Sequence, residues 1–227
     1  MENLKKNLET VKTEINQAME QAGRKDEVLL VGVTKTFPVD VIEDGLKLDI
    51  FDVGENKAQE FTGKYDIIKD RVNWHFIGHL QKNKVKYIVG KVKLIHSVDS
   101  MDLAEEISKR SEKQGLVQDV LIEVNISGEE SKFGVTKENI KELLTGISSL
   151  KGIRVRGLMT MAPNVEDEEL VRNVFRGLRL LKEELANMNI ENIHMDYLSM
   201  GMSQDFKLAI LEGANIIRVG SLLYGKR

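Results

Sequence analysis

The chain contains no cysteine. That excludes disulfide scaffolds, zinc–thiolate and iron–sulfur centres, and thiol catalysis, each of which needs a sulfhydryl. Only two of its 227 residues are proline, so rigid proline-rich linkers are excluded as well. No run approaches 18 consecutive apolar residues, and no membrane-spanning helix is expected. The amino terminus, MENLKKNLETVKTEINQAME, lacks the apolar centre of a signal peptide. A soluble, cytoplasmic protein is therefore expected, in which the sequon Asn125-Ile126-Ser127 is a chance triplet. No sign of charge dominates: 33 Lys and Arg face 36 Asp and Glu, for a net charge of −3. That argues against a dedicated nucleic-acid binder. At 41% apolar residues the chain is not disordered, and this length can bury a large core.

What is present is a regular alternation. Leu4, Leu8, Val11, Ile15 and Met19 recur at intervals of three or four and predict a helix ending near Gly23. The run from Val28 to Val33 is short, β-branched and unbroken in its apolarity, as strands covered on both faces are. Pro38 is placed as the opening residue of the next helix. Further strands are predicted at 50–54, 74–78, 94–98, 120–125, 155–160, 194–199 and 216–220, with helices between them. One of these is a Lys-rich helix from about Gln81, and another is a short helix from about Gln204 with Asp205 in its first turn. Eight strand–helix units predict an α/β fold, a single (β/α)8 barrel with an extra N-terminal helix. A doubly wound open sheet is the alternative. The sequence stops at Arg227 with no room for an eighth outer helix, so residues 1–22 are expected to cover that slot. No linker or low-complexity stretch interrupts the chain, and residues 1–227 are read as one domain.

Active sites of such barrels lie at the carboxyl ends of the strands. Lys35 ends the apolar strand VLLVGVTK, so its ammonium would sit at the barrel mouth. Desolvation lowers a lysine pKa, and the free amine forms Schiff bases with aldehydes. The competing reading is a lysine that merely extends its head to water. The segments Ser199–Ser203 and Arg218–Ser221 follow strands seven and eight, the usual place for a phosphate in this fold. Backbone N–H groups there, with the Ser203 hydroxyl, suit an anion; ordinary turns would use the same residues. A lysine and a phosphate cradle at one mouth together suit pyridoxal 5'-phosphate (PLP), which carries an aldehyde and a phosphate.

At this point a resemblance becomes specific. VGVTKTFP (31–38), FDVGENKAQE (51–60), WHFIGHLQKNK (74–84), EVNISGEESKFG (123–134), VRGLMTM (155–161), LSMGMSQDF (198–206) and IRVGSLLYG (217–225) span nearly the whole chain. In that order they resemble the pyridoxal phosphate homeostasis proteins and, more distantly, the barrel domain of alanine racemases. The resemblance implies that Lys35 carries PLP as a Schiff base. It implies that Ser203 and the amides of Gly220 and Ser221 hold the phosphate, and that Arg218 faces the pyridine nitrogen. Asn56, His79 and Met159 fall in family motifs and are expected to line the pocket. Phe37 stands where some members have a second lysine, which argues against transfer to a neighbouring lysine here.

An arginine cannot give its proton to the ring nitrogen, which makes the ring a poorer electron sink. Racemases with such an arginine draw a second base from a partner domain, and none is expected in a chain read as one barrel. The resemblance thus implies a cofactor carrier or regulator rather than a robust amino-acid enzyme, with PLP-dependent apoenzymes as candidate recipients; without a partner domain, a monomer is expected. A PLP-dependent amino-acid racemase is the enzymatic alternative. A third reading is an interaction module for nucleic acid or protein, built on Lys82, Lys84, Lys86, Lys91 and Lys93 in segment 81–93. A solvated helix face explains those lysines more simply. His75 and His79 are four apart on a strand, which makes no metal triad.

Overall fold

The computed structural model describes residues 1–129 and 132–225; Glu130 and Ser131, within one of the family-like segments, lie outside the described residues. Eight parallel strands close into a barrel in the order of the chain. They are β1 (Leu29–Val33), β2 (Asp52–Glu55), β3 (Asn73–Phe76), β4 (Leu94–Val98), β5 (Gln118–Glu123), β6 (Ile153–Met159), β7 (Ile193–Ser199) and β8 (Ile216–Val219). Closure is made by β1 pairing with β8, from Leu29 opposite Ile216 to Gly32 opposite Val219. The sequence-based order of strands and the barrel both hold.

Around the barrel run α1 (Glu2–Gln21), α2 (Val39–Leu46), α3 (Ala58–Ile68), α4 (Met101–Lys113), α5 (Ile140–Ser148), α6 (Glu168–Ala186), α7 (Phe206–Leu211) and α8 (Ser221–Tyr224). The apolar stripe of α1, Leu4 to Met19, is buried against the end of the chain. Asn7 Nδ2 donates to the Leu223 carbonyl at 3.0 Å, and Lys207 pairs with Glu14 at 3.4 Å, tying α1 to both α7 and α8. The outer slot is filled as expected, although a four-residue helix does follow β8. Among the described residues, no helix is long and apolar enough to cross a membrane.

Three local expectations are corrected. Between β3 and β4 the Lys-rich segment forms a 3-10 turn over Lys82–Tyr87, not an α-helix. Lys82 and Lys86 would repel at i,i+4 with no acid between them, and Gly90 at φ +78° ends the segment. Pro38 is the N-cap of α2 rather than its first helical residue. Asp205 likewise caps α7 from outside and does not belong to its first turn. Gly157 explains the one sharp irregularity in β6. Its φ is +149°, and a Cβ there would lie 2.1 Å from the Tyr197 carbonyl oxygen, so β6 and β7 approach at a register shift only glycine permits.

Candidate functional site

At the carboxyl ends of the strands a cavity of about 920 Å³ opens, at the large end of the range for ligand sites. Lys35, Asn56, Ser203, Arg218, Gly220 and Ser221 all line it, so six of the eight residues singled out in the sequence converge on one space. Met159 does not. It is packed inside the barrel with Val31, Leu94, Leu121 and Ile216, as strand alternation requires of a bulky residue filling the barrel. His79 also lies outside this lining. It is in a neighbouring depression of about 320 Å³, which it shares with Asn56. There its ring stacks on Phe133, centroids 4.1 Å apart, and Nδ1 is 3.5 Å from Asp99.

The backbone that presents Lys35 is held by a buried ion cluster on both sides. Thr36 has φ +66°, a left-handed conformation that a β-branched residue rarely adopts. Its amide donates to Glu60 Oε1. Before Lys35, the Thr34 hydroxyl donates to Glu55 Oε1 at 2.5 Å. The Lys64 ammonium ties the two sides together. It donates at 2.7 Å to each of the Thr34 carbonyl, Glu55 Oε1 and Glu60 Oε1. Lys64 and Glu55 are buried, and burial raises the Glu55 carboxyl against the pull of Lys64 and Thr34. A strained turn persists only where its surroundings over-determine it, and this cluster does so beside Lys35, two residues past the end of β1. Sequence reading missed it. The available signal was the Glu60–Lys64 spacing on α3, with Lys64 on a face that turns inward.

Across the mouth, the loop after β7 and the turn after β8 meet at Ser203. The Gly220 amide donates to Ser203 Oγ at 3.2 Å and the Leu222 amide at 3.4 Å. The two amides that donate to this point are thus those of Gly220 and Leu222, where Gly220 and Ser221 were expected. The loop is shaped by Gly201, whose φ is +91° and whose Cβ would lie 2.6 Å from that of Ala209. Asp205 closes it by accepting from the Met202 amide at 2.5 Å.

Arg218 forms part of the floor. Its guanidinium is buried and donates to Ser199 Oγ at 2.7 Å and to the Thr160 carbonyl at 3.1 Å. Burial draws its pKa down to about 10 while Asp205 and Glu123 pull it back, so it remains a cation near neutrality. Glu123, at the end of β5, is 3% exposed. Burial and the nearby Asp99 push its carboxyl up to about 7, against the pull of Arg218.

That shift has a definite sign. A carboxyl that ionises less readily when folded costs nothing below its ordinary pKa near 4.5. The cost grows as pH rises and is complete above about 7. It amounts to on the order of 3 kcal/mol. Glu123→Gln is therefore expected to match the parent at pH 4.5 and to exceed its stability by about 1–3 kcal/mol at pH 8. Urea midpoints at the two pH values check this.

Comparison with known proteins places this geometry. Residues 64–227 match the family described as "Alanine racemase, N-terminal domain". The chain is 50% identical to the pyridoxal phosphate homeostasis protein of Aquifex aeolicus, over 97% of this chain and 96% of that one. The solved structure of PipY from Synechococcus elongatus with PLP bound superposes with a TM-score of 0.86 at 29% identity, covering 98% and 100% of the two chains. Alanine racemase from Clostridium difficile gives a TM-score of 0.79 at 15% identity. It shares the barrel over all of this chain but 57% of its own length.

Proposed function

The chain belongs to the pyridoxal phosphate homeostasis protein family, and on that premise we propose that it binds PLP as a Schiff base on Lys35, buffering the cofactor and delivering it to PLP-dependent apoenzymes. The observation that carries this reading is the convergence of three chemistries on one cavity. Lys35 offers an amine, Ser203 with the Gly220 and Leu222 amides offers a phosphate cradle, and Arg218 offers a fixed cationic donor on the floor.

The donor set fits the group. Two amides already converge on the Ser203 hydroxyl, and a phosphate oxygen in their reach would find N–H and O–H donors together. When bound, PLP supplies an aldehyde that condenses with an unprotonated lysine amine, forming C=N and releasing water. The chain's own residues do the rest. The Lys64 cluster fixes where Lys35 leaves the barrel, and Arg218 offers only donors, so a pyridine nitrogen facing it is an acceptor and stays unprotonated. That withholds the electron sink which broad amino-acid chemistry needs, in keeping with a carrier role.

The deciding experiment is to incubate the protein with PLP, reduce it with borohydride and map the modified peptide by mass. A phosphopyridoxyl group on Lys35 is expected; a protein that acquires no covalent adduct overturns the proposal. The cradle has its own test. Ser203→Ala is expected to weaken PLP retention by about 1–3 kcal/mol, the value of a hydrogen bond to an anion, or about fivefold to 150-fold in dissociation constant. Dialysis of the loaded, unreduced variant measures it.

A further inference from the structure

The interior of a (β/α)8 barrel is ordinarily filled with branched aliphatic side chains. Here a thread of polar side chains runs through it, from the amino-terminal start of β2 to the cavity floor. Asp52 Oδ1 lies 2.9 Å from His75 Nε2, and His75 Nδ1 lies 2.9 Å from His96 Nε2. His96 Nδ1 lies 2.8 Å from Ser199 Oγ, which in turn accepts from Arg218 at 2.7 Å. His75, His96 and Ser199 are wholly buried. Asp52 is the one member that reaches the surface, where Lys93 and Asn73 also donate to it, each at 3.3 Å.

The two ends fix the direction of every bond between them. Guanidinium has donors only, and an ionised carboxylate has acceptors only. Ser199 Oγ accepts from Arg218, so its single proton is left for His96 Nδ1. A neutral His96 then carries its proton on Nε2 and gives it to His75 Nδ1. His75 likewise carries its proton on Nε2 and gives it to Asp52. Every polar atom of the thread is satisfied with both imidazoles neutral, and the opposite direction would require a protonated Asp52 that donates, with Ser199 Oγ accepting from both His96 and Arg218. The titration tendencies agree. Burial lowers His75, although Asp52 raises it. Burial, with His75 and Arg218 nearby, holds His96 well below the usual histidine range. Burial raises Asp52, but the hydrogen bond from His75, with Lys93 and Asn73, leaves it net lowered and ionised.

We propose that Ser199, His96, His75 and Asp52 form a one-directional hydrogen-bond relay that positions Arg218, anchoring its guanidinium through the barrel to a carboxylate at the far end. They are positioning residues, since none lines the cavity. The relay holds Arg218 in one orientation and gives it no route to shed charge. The consequence for the pyridine nitrogen rests on the PLP reading above; the direction of the relay does not.

The test is made on ligand-free protein by nitrogen-detected NMR of the imidazoles and guanidinium, so its outcome is independent of whether PLP binds. In the parent, His75 and His96 are both expected as neutral rings protonated on Nε2. A proton on Nδ1 of either, or a cation at pH 7, overturns the relay. Asp52→Asn keeps an acceptor at the base and is expected to leave the His96 signals in place. Asp52→Leu removes it and is expected to shift His96 towards the other tautomer, although Asp52 does not touch it. An unmoved His96 in Asp52→Leu overturns the idea that the thread acts as a unit. Ser199→Ala is expected to release one end of the guanidinium, so that Arg218 Nη signals average by rotation, and Ser199→Thr to restore them. Equal behaviour of these two variants removes the positioning role.

Discussion

Lys35→Ala is expected to abolish covalent retention of PLP while leaving the fold intact. The side chain leaves the barrel only after the last residue of β1, and it is half-buried rather than part of the core. The contacts that hold the turn are made by its neighbours: the Thr34 carbonyl and hydroxyl, and the Thr36 amide. Truncation at Cβ removes none of them, so the turn and the fold are expected to be retained, as circular dichroism would show. The effect on the adduct is all-or-none, because a Schiff base needs an amine at that place. Lys207 supplies an internal control, since it also lines the cavity but is exposed on α7. After incubation with PLP and borohydride reduction, Lys207→Ala is expected to keep the full adduct and Lys35→Ala to have none. The reverse pattern would move the anchor to Lys207. The cradle at Ser203 is untouched in Lys35→Ala, so a reversible, phosphate-dependent association is expected to survive and to be competed by inorganic phosphate.

The two lysines show why the site was partly legible in the sequence. Lys35 stands out because a cation that terminates an unbroken apolar strand has few structural uses, and strand ends of a barrel share one face. The same logic found Ser203, Arg218 and Gly220, which close strands seven and eight or follow them. It failed for Met159, where a motif position was taken for a mouth position. A residue that closes β6 points into the barrel or out of it according to the local register, and β6 carries a glycine irregularity two residues earlier. It failed in another way for His79, whose ring turned to stack on Phe133, more than 50 residues away in the chain. The clamp on Thr36 left only a partial signal, the Glu60–Lys64 spacing on α3, and its contacts with Thr34, Glu55 and Thr36 could not be read from it. The histidine thread joins single polar residues from different elements, and no periodicity or spacing encodes a contact between β2, β3, β4 and β7. What the sequence did carry was an anomaly, one histidine inside the apolar run of each of two strands, β3 and β4.

The thread also sharpens what replacing its cationic end would do. Arg218→Glu is expected to destabilise the protein by about 3–5 kcal/mol at pH 8, the usual consequence of leaving a buried charge without its counterpart. Thr160 would present a carbonyl oxygen to the introduced carboxylate, and Glu123 and Asp205, which now face a cation, would face a third acid. The direction of the relay would be lost as well. With acceptors at both ends, Ser199 turns its proton towards position 218, and His96 Nδ1 is left without a donor. The thread can then be satisfied only by an added proton on the imidazole pair. Protons taken up in the folded state favour folding at low pH. The deficit of Arg218→Glu is therefore expected to shrink as pH falls from 8 to 6, and an added histidine titration is expected that the parent lacks. Denaturant midpoints across that range measure the first, and histidine NMR the second. A deficit independent of pH would mean that the substituted position no longer communicates with His96 and His75, and that Arg218 is held by Thr160 and packing alone.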